Sequence, residues 1–290
     1  MIPTLMMNGT ETTRRMESSA MRIASASHAV FSATLIVIGV MGLINGNFAA
    51  IWNGVPSGFP AREALAYVCA SISIASGVGL LWQRAAPTAA RVLFGYLLLW
   101  MLLVKGRYIV RAPMVEGSYQ SCGETAVIVA AAWVLYASFA TSWDRRAFAF
   151  AVGDRGVHLA QWLYGLSLIA FGLSHFVYVE LTTPLVPAWL PWHGAWAYIT
   201  GSAFLAAGVA ILSGIYARLA ATLSMLQLAL FTLVVWVPMV AAGHISAAHW
   251  VEFVVSFVVT VAAWVVADSY RGTSVMRDDR TTFRAIPLSR

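Results

Sequence analysis

Residues 157–201 read VHLAQWLYGLSLIAFGLSHF, VYVELTTPL, VPAWLP and WHGAWAYITG. About 20 apolar residues are needed to cross a bilayer core of about 30 Å, and the first block supplies that length without the alternation of a barrel strand. The third block sets prolines at 187 and 191, which fix two φ angles and remove two backbone donors. A helix therefore stops before it and a new one starts after it. The same arrangement stands earlier in the chain. Val55-Pro56-Ser57-Gly58-Phe59-Pro60 lies 131 residues before Val186-Pro187-Ala188-Trp189-Leu190-Pro191. At the same offset Tyr67 matches Tyr198, Gly77-Val78 matches Gly208-Val209, and Trp133 matches Trp264. Upstream, His28 pairs with His158 and Gly42 with Gly172 at an offset of 130. A match over most of both halves predicts an internal repeat of a four-helix unit.

Working outward, eight stretches are long and apolar enough to span: 28–45, 64–82, 90–110, 123–142, 157–176, 195–214, 219–241 and 250–268. Composition agrees. The 290 residues are 60% hydrophobic and 10% charged, where a soluble domain carries about 25% charged residues. A single soluble core cannot hide that much apolar surface. The expected fold is an all-α integral membrane protein, eight transmembrane helices built as a tandem repeat of a four-helix bundle. Its parts are an N-terminal tail 1–27, a first unit 28–142, a linker 143–156, a second unit 157–268 and a tail 269–290. The first apolar run has no A-x-A-like cleavage site before Asn45 and reads as a retained helix.

The net charge of +6 does not point to nucleic acid, because the basic residues fill the breaks between spans. Placing both termini in the cytoplasm puts 14 of the 18 basic residues inside, leaving Arg62, Lys105, Arg107 and Arg111 outside. The two longest connections, 46–63 and 177–194, then face outward as short ordered caps. Trp52, Trp189, Trp192 and Trp196 beside them read as an interfacial aromatic belt. Cys69 and Cys122 form no C-x-x-C, and both fall near outer helix ends, which leaves a disulfide open.

Gly172-Leu173-Ser174-His175-Phe176, the Val-Pro-Ala-Trp-Leu-Pro segment and Trp196-Ala197-Tyr198-Ile199-Thr200-Gly201 resemble the DoxX-like membrane family. The second half looks like one family unit and the first like a diverged copy, so the resemblance covers roughly residues 28–268. It implies four-helix bundles of a bacterial inner membrane, some of them linked to thiosulfate:quinone oxidoreduction or membrane redox assemblies. Two units in one chain and the lack of paired cysteines depart from the usual pattern.

Ionisable groups inside a membrane are functional candidates by default. They gather on the outer side of the second half: His175 ends the fifth span, His244 follows the seventh, and His249 and Glu252 open the eighth. Glu252, Ser256 and Thr260 recur at helical spacing and form one polar stripe. Gln161, Tyr164 and His175 share a side of the fifth span, and Gln227 lies near the middle of the seventh. Such a set suits a quinone headgroup, with a histidine donating to a carbonyl and a carboxylate taking the proton. A divalent metal on His175, His244, His249 and Glu252 is the other ligand reading, although H-x-x-E at 249–252 is no compact metal signature. Interfacial side chains that bind nothing are the third.

In the first half, Glu124 opens the fourth span, and Glu116 or Glu124 is placed to pair with Lys105 or Arg107. His28 and His158 read as interfacial anchors outside the apolar core. Gly77, Gly79, Gly201 and Gly208 read as close helix contacts.

No nucleophile–base pair, phosphate loop or nucleotide motif appears, so an autonomous enzyme is not expected. The expected partners are the lipid bilayer and redox subunits. The role is then an accessory or quinone-interacting subunit of a membrane redox system, or else a non-catalytic assembly protein.

Overall fold

The computed structural model describes residues 25–52, 54–243 and 246–271. Eight helices among them are long and apolar enough to cross a membrane. They are α1 Ala26–Asn45, α2 Arg62–Leu81, α3 Ala86–Arg111, α4 Glu116–Phe139, α5 Gly153–Val177, α6 His193–Ser213, α7 Ala217–Ala241 and α8 Ala247–Asp268. No β-strand occurs among the described residues. The chain is an all-helical, multi-pass membrane protein.

Neighbours in sequence pack side by side from α1 to α8, and α8 returns to α1, closing a ring. The α4–α5 seam is far more extensive than the α8–α1 seam, and α4 and α8 also touch across the centre. The described chain ends lie together at one end of the bundle, here the basal end. Ser27 Oγ donates to Asp268 there, and Gln161 Nε2 donates to Ser269 Oγ at 2.9 Å. The connections 46–61, 112–115, 178–192 and 242–246 form the opposite, cap end.

Glycine sets the tightest seams. A Cβ on Gly77 would sit 2.6 Å from the Ser32 carbonyl oxygen, and one on Gly208 would sit 2.7 Å from that of Gly165. Small residues let membrane helices approach until backbones touch. Gly39 meets residues 70 and 74, Gly42 meets residue 70, and Gly172 meets 201 and 205.

Both α3 and α7 contain one π-turn, Met101–Lys105 and Thr232–Trp236, again 131 residues apart. In each, the closing bond runs five residues back, from Gly106 N–H to Met101 and from Val237 N–H to Thr232.

Several sequence expectations change. Helix α4 begins at Glu116, not 123, because Val115 is the first extended residue upstream of it; Glu124 therefore lies about 12 Å along the helix, inside the span. The expected linker 143–156 is largely structured: Ser142–Ala147 is a helix and α5 starts at Gly153. His28 is 1% exposed, packed 5.4 Å from the Phe139 ring, so it is core and not an anchor; His158 is exposed. Trp189 and Trp192 are exposed as a belt requires, but Trp52 is buried, carried inward by the 3-10 turn Ala50–Trp52. Both cysteines are free thiols.

The basal end is locked by a carboxylate. Asp144 is wholly buried and accepts from Arg91 Nε at 2.7 Å and Arg91 Nη2 at 2.8 Å. Tyr136 Oη, Thr141 N and Thr141 Oγ1 also donate to it, at 3.1, 2.8 and 2.6 Å. The Arg91 hydrogen bonds hold its carboxyl well below the usual carboxylate range, with Thr141 and Tyr136 adding to the effect. Arg91 also lies over Trp143, 4.7 Å from the ring centre, so α3, α4 and the short helix are joined at one point.

Candidate functional site

The sequence candidates fall into three separate places. Tyr164 is fully buried in the lower half of α5, and its hydroxyl hydrogen-bonds Ser224 Oγ at 2.9 Å. His175 stands in the last turn of α5, between the rings of Phe204 (5.6 Å) and Phe231 (5.9 Å, stacked). Its Nδ1 lies 2.7 Å from the Phe171 carbonyl oxygen. A carbonyl only accepts, so Nδ1 carries the proton and a neutral ring presents its lone pair at Nε2. Gln227 belongs to the same chamber, donating to the Thr200 carbonyl at 3.0 Å one turn below Phe231. His249 and Glu252 are exposed at the start of α8, with the His249 ring 6.3 Å from Trp236. His244 lies outside the described residues. Four of the candidates thus split into two groups, His175 with Gln227 and His249 with Glu252, and Tyr164 stands apart. Among the described residues, no three His, Cys, Asp or Glu side chains converge as a metal would require.

The Ser256 and Thr260 hydroxyls of the polar stripe on α8 face protein, while Glu252 above them is exposed. Thr232 Oγ1, in the π-turn of α7, lies 2.8 Å from Ser256 Oγ and 3.1 Å from Thr260 Oγ1. A hydroxyl in the apolar span needs such partners.

The ionisable group that matters most was read as an outer snorkelling residue. Lys105 is 2% exposed, deep between α3 and α4, and its Nζ donates to Ser121 Oγ at 2.9 Å. The Glu124 and Glu252 carboxylates and the Cys122 thiol lie within electrostatic range of the ammonium. Glu116 and Glu252 are in turn within range of Glu124. Lys105 is the last residue of the π-turn, where the extra residue in the turn re-aims the side chain; such turns are frequent at functional sites. About six residues separate it from the end of α3, roughly 9 Å, so it does not snorkel free of the span.

Arg107 makes no carboxylate pair. It donates to the Gly54 carbonyl, as does Tyr108 Oη at 2.8 Å, because Gly54 adopts φ +103° and turns that oxygen toward α3. Both Glu116 carboxylate oxygens are buried without a protein partner.

The cluster draws Lys105, Ser121, Cys122 and Glu124 from the first half and Glu252 from the second. Its position beside the α4–α8 contact makes it a shared centre. An ammonium among carboxylates in a low-dielectric span can hold, pass and accept protons, and can donate to a carbonyl or anionic oxygen.

Neither a family model, nor a curated protein, nor a solved structure is significantly similar to this chain.

The signal that sequence reading missed was the start of α4. With that helix begun at 123, Glu124 appears interfacial and Lys105 appears to point outward. Begun at Glu116, both residues lie inside the span, within electrostatic range of each other. Asp144 was missed for a different reason: nothing in Ser142-Trp143-Asp144-Arg145 marks which charge is buried.

Proposed function

We propose that this protein is a DoxX-like accessory subunit of a membrane redox system, and that the Lys105 cluster is where it meets a quinone headgroup. One observation carries the reading: a lysine 2% exposed within a membrane span, bonded to Ser121, with Glu124 of the first half and Glu252 of the second within electrostatic range. Such charge is costly in a bilayer and persists where it serves a ligand or a proton path. A quinone carbonyl accepts from the ammonium. When a partner subunit supplies two electrons, the ammonium passes a proton to that oxygen, the other oxygen takes its proton from water, and Glu124 or Glu252, once protonated from water, returns one to the Lys105 amine.

The protein is placed in a bacterial inner membrane with both termini in the cytoplasm, which makes the cap end outer. The basic residues at the basal end support this, among them Arg84, Arg145, Arg146 and Arg155. The spacing of the two π-turns, and glycine contacts that recur in α1–α2 and α5–α6, support a duplicated four-helix unit.

The assembly reading has its own support. The Gln227–Thr200, Tyr164–Ser224 and Thr232–Ser256–Thr260 contacts satisfy one another internally, as scaffold groups do.

Purification in mild detergent followed by mass spectrometry of bound small molecules separates the two. Wild-type protein is expected to retain about one quinone per chain, and Lys105→Met to lose most of it while remaining folded and monodisperse. Protein that carries phospholipid alone, in both forms, would leave the assembly reading standing.

A further inference from the structure

The first half contains a second feature that the Lys105 cluster does not use. Trp52, delivered by the 3-10 turn Ala50–Trp52, packs against Tyr96 at 5.0 Å and edge-on against Trp100 at 5.1 Å between ring centres. Trp52 is 2% exposed and Trp100 5%, yet among the described residues the indole N–H of each is buried without an acceptor. Tyr96, the third ring, spends its hydroxyl on Cys69 Sγ at 2.6 Å. A buried donor left unmade costs about 1–3 kcal/mol, and two such donors in one aromatic cluster mark a place where an acceptor belongs.

A cavity of about 110 Å³ adjoins the cluster, lined by Phe48, Ala49 and Ala50 of the same connection, by Asn45 and Asn47, and by Trp250 of α8. The Phe48 ring lines that cavity and also lies 5.8 Å from the Trp100 ring, so it stands between the space and the indole. An apolar cavity of about 150 Å³ accepts one benzene ring. The cavity falls short of that volume and none of the three rings lines it, so a ring entering here has to displace Phe48, which opens the way to the Trp100 indole and, behind it, to Trp52 packed edge-on against it.

The corresponding place in the second half, 131 residues on, is built the same way but filled differently. Tyr96 maps to Gln227, Trp100 to Phe231 and Cys69 to Thr200, and the side chain between the rings is His175. There the inserted group presents an acceptor. In the first half the cluster presents two donors.

We infer that the Trp52–Tyr96–Trp100 cluster is a binding site for a planar, uncharged ring bearing carbonyl oxygens, a quinone-type headgroup, with the two indole N–H groups as its donors. The inference rests on the quinone reading above and places the ring rather than the proton chemistry. Trp100 immediately precedes the π-turn and Lys105 ends it, so one short segment of α3 carries both the ring contact and the proton donor.

The test is titration of the purified full chain in lipid nanodiscs with a short-chain benzoquinone, followed by calorimetry. Trp52→Phe and Trp100→Phe are each expected to weaken binding about tenfold, the worth of one lost hydrogen bond in a dry site. Because either substitution can disturb the core, β-(3-benzothienyl)alanine at position 100 serves as a second variant. It keeps the ring shape and replaces N–H by sulfur, and is expected to show the same loss. Binding to wild type that is unchanged in all three variants, or reduced only in Lys105→Met, overturns the indole site and leaves the quinone reading intact. Absence of binding to wild type overturns both. Unchanged affinity together with an ordered water on each indole in an experimental structure would identify the missing acceptor as water and sink the inference.

Discussion

Replacing Asp144 by alanine is expected to cost about 3 kcal/mol, the low end for breaking a buried ion pair, because Arg91 keeps about a third of its side chain in solvent (34% exposed). The loss does not stop at the pair. Tyr136, itself 3% exposed, would keep a buried hydroxyl with no acceptor, and the capping box that starts Ser142–Ala147 would lose its acidic partner. Acid should act on the same residue. The Asp144 carboxyl titrates well below an unfolded aspartate, near 3.9, so the unfolded chain binds more protons in that range. The stabilisation is therefore complete above about pH 4 and is lost as the pH falls from there toward the folded value. Melting of detergent-solubilised protein from pH 7 to pH 3 checks both points. Wild type should lose its advantage over Asp144→Ala below about pH 4; parallel curves across the whole range would show that Asp144 is not ionised and paired as described.

Gly77→Leu and Gly208→Leu are expected to be the most damaging changes within the spans. A Cβ at either site meets a backbone carbonyl oxygen at 2.6 or 2.7 Å, together with an isoleucine side chain from the facing helix at 2.7 or 2.8 Å. Backbone cannot swing aside as a side-chain tip can, so the α1–α2 or α5–α6 seam must open along its length. A loss of about 3 kcal/mol, the upper range for overpacking, should appear as a lower melting temperature and poorer recovery from the membrane. Gly95→Ala is the control. Nothing lies within 4 Å of its added Cβ, and removing a helical glycine should leave stability unchanged or raise it by about 0.5–1 kcal/mol. Equal behaviour of all three variants would mean that the close seams are not where the helices are held.

How much of this was legible beforehand depends on the kind of signal. The eight spans were, because twenty apolar residues between polar breaks leave a chain few alternatives in lipid. The glycine contacts were also readable, since Gly77, Gly201 and Gly208 recur where helices must approach. Of the stripe Glu252–Ser256–Thr260, the two hydroxyls face protein as read, whereas Glu252 is exposed. What failed were features decided by one or two residues of register. The polar run Glu116–Glu124 hides the first two turns of α4, because its charge resembles a loop until its partners on α3 are known. The π-turns leave no mark in composition, yet they determine where Lys105 and Trp236 point. His28 and Trp52 were assigned to an interface from their place near span ends, although the fold carries one into the core of the basal end and the other under the cap. The candidate histidines and Glu252 were found individually, but their grouping was not, since three-dimensional neighbours on α3, α4 and α8 are far apart in the chain.

A double-mutant cycle between Lys105→Met and Glu252→Gln tests most directly whether charged groups from both halves act as one centre, with Lys105 buried in it and Glu252 at its exposed edge. Lys105 belongs to the first half and Glu252 to the second, so no local effect of sequence can couple them. Stability in lipid nanodiscs and retained quinone should be measured for wild type, both single variants and the double. The expected result is a coupling of at least about 0.5 kcal/mol in stability, and a double variant that retains no less quinone than Lys105→Met alone. Strictly additive effects on both readouts would contradict the shared centre and leave Lys105 as a structural lysine of the first half.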